Sequence, residues 1–311
     1  LIYKIAVTLI DDVGSISAKK LIAYCGGEEA IFRESKKALE KIPGIGQKVI
    51  ETIISKKALE RAEKEVKFIE KNNIKLLWYL NEDYPYRLKH CIDSPIVIYS
   101  KGNAELNKSK VISIVGTRNI SSYGKKICKD LIDELSKQDI LVVSGLAYGV
   151  DVCAHKNAIK NGLTNVAVLG NSLDRIYPAL HREVASDIIN NGSLLSEFVS
   201  GTKPDAPNFP RRNRIVAGMS DATVVVESPA KGGSIITANL AFNYNRSVMA
   251  FPGNIYSETS KGCNNLIKQN KAMLINSAQD LLLELGWEQK DDDVKSKKNI
   301  QRQLFVDLSE E

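Results

Sequence analysis

Phe209, Arg211, Arg212 and Arg214 fall within six positions, with Asn213 among them, so one short stretch offers three permanently charged forks and a flat aromatic face. Guanidinium groups pair with phosphate oxygens two at a time, and a ring stacks on any nucleobase for about 1–3 kcal/mol. Four other runs have compositions suited to the same chemistry. Gly116, Thr117 and Arg118 open GTRNISSYG, which continues through Ser121 and Ser122; Gly145 lies in SGLAYGVD; Gly170, Asn171 and Ser172 form a third; Gly232, Gly233 and Ser234 follow Lys231. Backbone N–H groups freed at a strand-to-helix turn, with the positive end of the helix dipole, favour an anion at that spot. A glycine there is also the ordinary solution for a tight turn. At least one arginine is expected to be structural, with Arg212 or Arg214 paired to Asp205, Glu197 or Glu227.

Other chemistries find little support. No phosphate loop ending in Gly-Lys-Ser/Thr is present, and the turn after residue 115 is not the three-glycine dinucleotide fingerprint. As nucleophiles, Ser144, Ser234 and Cys153 have only His90, His155 and His181 as possible bases, and His155 reads as a capping or packing residue. Glu197 and Asp174 form no acid pair. The five cysteines, Cys25, Cys91, Cys128, Cys153 and Cys263, are scattered without metal-ligand spacing. They predict reduced thiols in a cytoplasm, no metal and no cofactor. A net charge of +6 permits a polyanionic partner without requiring one.

The elements that must position these loops follow from hydrophobic pattern. After residue 110, apolar runs at 111–115, 140–143, 166–169, 193–195, 222–226, 247–251 and 272–275 alternate with helical patterns, among them 124–138, 150–161, 213–219 and 234–244. Strands apolar throughout and separated by helices predict an α/β fold, an extended Rossmann-like parallel sheet with helices on both faces. In such a sheet ligands sit beyond the carboxyl ends of the strands. Residues 1–60 predict a small all-α unit, because LEKIPGIGQKVIETI resembles a helix-hairpin-helix (SAM-like) segment and Asp12-Val13-Gly14 is a weaker echo of it. Packing or partner docking is the favoured role there, ahead of DNA contact. Residues 61–74 read as a solvated connecting helix, 75–287 as the sheet domain, and 288–311 as a polar linker and the start of a possible further module. With 43% hydrophobic and 26% charged residues the composition is that of a soluble globular protein. No apolar run reaches the roughly 20 residues that span a membrane, and the first residues lack a signal peptide's pattern.

Taken in order, GTRNISSYG, SGLAYGVDVCAH, AVLGNSLDRIYP, LLSEF, FPRRNRIVAG, VVVES, GGSIITANLA, FPGNI and KGCNNLI resemble the motifs of the DNA-processing protein A family (DprA, also called Smf) over about residues 75–285. The resemblance implies a non-enzymatic protein that binds single-stranded DNA, forms homodimers and helps load the RecA recombinase in natural transformation. It implies that Gly116, Thr117 and Arg118, with Ser122, hold phosphate and that Gly145 supports the same pocket. Phe209, Arg211, Arg212 and Asn213 would line the strand's path, and Gly232, Gly233, Ser234 and Asn264 would complete the groove. Tyr148 stands where the family often has Arg, and His181 where Asn is frequent. The alternative is a nucleotide-binding enzyme or sensor of the lysine-decarboxylase-like Rossmann group. The catalytic Glu of that group's glycine-rich motif is absent after Thr237.

Overall fold

The computed structural model describes residues 1–288. Its centre is one nine-stranded sheet in the order β1-β2-β6-β5-β4-β3-β7-β8-β9. The strands are β1 (Lys75–Trp78), β2 (Val97–Gly102), β3 (Lys110–Val115), β4 (Ile140–Ser144), β5 (Asn165–Val168), β6 (Gly192–Ser196), β7 (Ala222–Val225), β8 (Ser247–Ala250) and β9 (Met273–Leu274). From β6 to β9 every neighbouring pair is parallel. The two strands that come first in the chain add an antiparallel edge, β1 on β2 and β2 on β6, so the sheet is mixed and not parallel throughout.

Burial on both faces explains the all-apolar strands. Val111 and Val115 of β3 pack toward the helices Asn208–Gly218 and Gly233–Asn243, while Ile112 and Ile114 pack toward Ser122–Leu135 and Val150–Lys160. Between them Ser113 bonds the Thr223 hydroxyl at 2.7 Å, so the central polar pair is satisfied. The chain moves outward from β3 through β4, β5 and β6, then returns to place β7 on the other side of β3. The loops after β3 and β7 therefore diverge onto opposite faces, leaving a crevice at the carboxyl ends.

Helices between Ile2 and Lys71 form the amino-terminal part. Their core, including Ile5, Leu21, Ile50 and Ala62, continues without a break into Trp78, Tyr99, Leu169 and Leu194 of the sheet side. Lys48 and Asp12 join the two hairpin segments at 2.5 Å, and Gly44 takes φ +80°, a conformation that favours glycine. The helix read as a solvated connector runs from Lys57 to Lys71 and buries Ala58, Ala62 and Ile69 in this core. Glu65 on the same face is buried too, held by Arg61 at 3.0 Å and by the Ser200 N–H at 2.9 Å. Mixed charge along one face hid the apolar stripe on the other.

A second difference concerns residues 208–212, read as a loop ahead of a helix beginning at Asn213. The helix begins at Asn208 and includes them. Pro210 is compatible with this because it occupies the first turn, where its missing N–H has no intrahelical partner to lose. Among the described residues no helix is long and apolar enough to cross a membrane. The five cysteines are free thiols. The expected linker and further module lie outside the described residues, apart from Glu288.

Candidate nucleic-acid interface

At the carboxyl ends of β3, β4 and β7 lies a cavity of about 460 Å³. Ten of the thirteen residues singled out from sequence line it: Gly116, Thr117, Arg118, Gly145, Phe209, Arg212, Asn213, Gly232, Gly233 and Ser234. Ser122, Arg211 and Asn264 do not.

Close packing builds the floor. A Cβ on Gly116 would lie 2.4 Å from Val150 Cγ2 and 2.8 Å from the Glu227 carbonyl oxygen, so only glycine lets the loop pass there. The Thr117 N–H donates to that same carbonyl at 2.7 Å, and its carbonyl accepts from Val150 N–H at 3.1 Å. Arg212 is buried beneath the cavity and donates to the carbonyls of Gly145 and Val168, pinning the ends of β4 and β5 together. A Cβ on Gly145 would fall 2.4 Å from its guanidinium. Burial lowers the pKa of Arg212, an effect opposed by Asp151. Asp151, also buried and on the cavity wall, accepts from Ala147 N–H at 3.3 Å; burial raises its pKa, and Arg212 and nearby N–H groups pull it back.

The rim is different. Arg118 is exposed, and among the described residues it makes no ion pair. Its guanidinium carbon sits 5.8 Å from the centre of the Phe209 ring, which is itself half-buried. Across the opening begins the helix Gly233–Asn243, with Gly232 as its cap. Among the described residues no carbonyl or side chain accepts from the N–H groups of Gly233 or Ser234. Asn213 reaches toward this corner, donating to the Gly233 carbonyl at 3.4 Å. One free guanidinium, one aromatic face and two unpaired N–H donors thus converge on one opening.

The helix that follows β3 does not supply the anion site expected of it. Its amino terminus is filled by the protein's own carboxylate: Glu227 Oε2 accepts from Ser121 N–H at 2.9 Å and Oε1 from the Ser121 hydroxyl at 2.6 Å. Ser122 is exposed on the first turn and lies away from the cavity. Arg211 and Arg214 both pair with Glu197, at 2.8 and 2.5 Å, on another flank of their helix. Asn264 spends its amide on Gly253, accepting from the N–H at 3.1 Å and donating to the carbonyl at 3.0 Å, and so fastens a loop. His155 is fully buried and bonded to Asn165 at 2.8 Å, with its pKa lowered by burial to about 4. Tyr148 and His181, the two departures from the family pattern, pack edge to face with ring centres 5.0 Å apart.

Sequence reasoning missed Asp151, Ile236 and Thr237 on the wall and Glu227 as the internal anion. Only Glu227 carried a usable signal, as a carboxylate directly after a run of valines.

The mixed sheet and the crevice at its switch point define a Rossmann-like α/β protein with a ligand-sized cavity at the carboxyl edge. Residues 75–286 match the family model described as DNA recombination-mediator protein A, and the chain belongs to that family. It is 34% identical over 288 residues to Protein Smf of Synechocystis, covering 91% of this chain and 72% of the relative. Against DNA processing protein DprA of Streptococcus pneumoniae it is 38% identical over 208 residues, 67% of this chain and 73% of the relative. The solved structure of the pneumococcal DprA superposes with a TM-score of 0.77 at 31% identity, covering 91% of this chain and 98% of that one. That of Helicobacter pylori DprA, whose study describes a single-stranded DNA binding mode, gives 0.62 at 30% identity, covering 68% and 95%.

Proposed function

We propose that this chain binds single-stranded DNA without regard to sequence at the carboxyl-edge cavity, and acts as a recombination mediator that loads a RecA-type recombinase. The observation that carries the reading is the convergence of the unpaired Arg118, the Phe209 face and the free N–H groups of Gly233 and Ser234 on one opening. A phosphate would lie between the guanidinium and the helix terminus, where charge and donors coincide. A base would rest on Phe209 beside the apolar wall of Val115, Val216 and Ile236. No bond is made or broken in this scheme. The DprA relatives and the single-strand binding described for the H. pylori protein support it. A homodimer in the cytoplasm completes the proposal and is checked by sedimentation.

The test is a salt titration comparing oligothymidine with duplex DNA, for the wild type and Arg118→Gln. Single strands should win. Arg118→Gln should flatten the slope of log affinity against log salt by about 0.7, the value for one lost single-strand phosphate contact. Equal slopes in a folded variant would refute the site. Recombinase loading is tested separately, as filament formation on strands already coated with a single-strand binding protein. The same cradle fits a mononucleotide, so release of free base from AMP would favour the enzymatic alternative.

A further inference from the structure

Tyr177 lies outside the cavity wall, on the loop between β5 and the helix Arg182–Asn190. We propose that it is a second base-stacking platform, one nucleotide beyond Phe209, a step that rests on the single-strand reading above. Its ring centre is 5.8 Å from that of Phe209, with the planes tilted by 37°. Arg118 also lies near Phe209, its guanidinium carbon 5.8 Å from the ring centre, so the three side chains cluster at the ends of β3 and β5. A tyrosine placed to fill the core would be buried; Tyr177 is 45% exposed, and among the described residues its hydroxyl has no partner.

The loop that carries it is held rigidly. Asn171 donates to the carbonyls of Ser172 and Arg175, both at 2.8 Å, and its own carbonyl accepts from Ser196 at 2.7 Å. A stacking surface on a fixed loop avoids the entropy cost of ordering a mobile one. Phe209 keeps its place because Gly170 beneath it has no side chain: a Cβ there would lie 2.7 Å from the ring. Arg175, two residues before Tyr177, is exposed and, among the described residues, free of ion pairs, which suits a backbone phosphate running alongside.

Rings 5.8 Å apart and tilted by 37° pack against each other and leave no room for a base between them, so a base stacked on Tyr177 rests on its solvent-facing side. Only an unpaired strand can turn a base face to it, and the ring makes no demand on base identity, since every base has a π face.

The experiment measures binding of the full chain to labelled oligothymidine, and to a fully abasic strand of the same length. Tyr177→Leu keeps apolar bulk against Phe209 while removing the aromatic face; Tyr177→Trp restores it. Tyr177→Leu should weaken the intact strand about five-fold or more with the salt slope unchanged, because stacking releases no counterions. The abasic strand should bind wild type and Tyr177→Leu equally, and Tyr177→Trp should recover wild-type affinity on oligothymidine. If wild type prefers single strands but Tyr177→Leu matches it, this inference fails and the cavity reading stands. The inference also fails if Tyr177→Leu weakens the fully abasic strand as much as the intact one. If wild type itself shows no single-strand preference, the underlying reading fails.

Discussion

Replacing Glu227 separates a structural anion from a ligand site. Its carboxylate accepts two short hydrogen bonds from Ser121, at 2.9 and 2.6 Å, and a longer one from Thr259 at 3.3 Å. It is only 3% exposed and sits against the first turn of the helix Ser122–Leu135. Hydrogen bonds to a charged group contribute about 1.5–3 kcal/mol each, and a carboxylate at a partly buried helix amino terminus up to about 2 kcal/mol more. These contributions overlap, because Ser121 serves two of the bonds and also caps the helix at Gly124 N–H. Glu227→Ala should therefore cost about 3–5 kcal/mol, a large part of a typical domain's stability. Glu227→Gln keeps the shape and one acceptor and should cost about 1–2 kcal/mol, the loss of charge. Urea titrations give both values. Oligothymidine binding by the folded Gln variant should stay within about two-fold of wild type, since the carboxylate does not line the carboxyl-edge cavity. A loss below about 1 kcal/mol in Glu227→Ala would refute the reasoning. So would a ten-fold change in single-strand affinity with Glu227→Gln.

Three further outcomes follow from the same geometry. His155 is held neutral by burial with its pKa lowered to about 4, while the unfolded residue titrates near 6.5. Its contribution is full above pH 6.5 and drains as the pH falls toward 4, about 3 kcal/mol in all; His155→Gln should lose less stability than wild type between pH 7 and pH 4.5, and equal losses would contradict this. Gly145→Ala would drive a Cβ into the Arg212 guanidinium and should cost about 1–3 kcal/mol, read as a lowered thermal midpoint; an unchanged midpoint would show that Arg212 can move. Arg211→Ala should leave oligothymidine affinity within about two-fold, because Arg211 pairs with Glu197 away from the cavity; a ten-fold loss would route the strand along that flank.

The sheet was legible because its strands are apolar on both faces and end in glycine-bearing turns, a pattern that only a covered parallel sheet produces. The antiparallel edge was not, since nothing in the four residues of β1 or the six of β2 marks strand direction. Phe209 and Arg212 were found by type, but their roles depend on facts that spacing does not carry. Helical geometry turns Arg212 down to the carbonyls of Gly145 and Val168 and leaves Phe209 on the rim beside Arg118. Consecutive arginines on a helix point in different directions, so Arg211 meets Glu197 instead. The terminus after β3, expected to hold an anion, is filled from within for a similar reason. Both the helix after β3 and the helix after β7 begin with small polar residues, and only the fold shows that Glu227 already occupies the first. Val115, Val216 and Ile236 were invisible as wall residues because an apolar side chain facing a cavity reads like one facing the core.

A crystal structure with bound oligothymidine tests the central claim most directly. A backbone phosphate should accept from the N–H groups of Gly233 and Ser234 within reach of Arg118, with a base against Phe209. Nucleic acid bound at another surface, with that opening empty, would contradict the account.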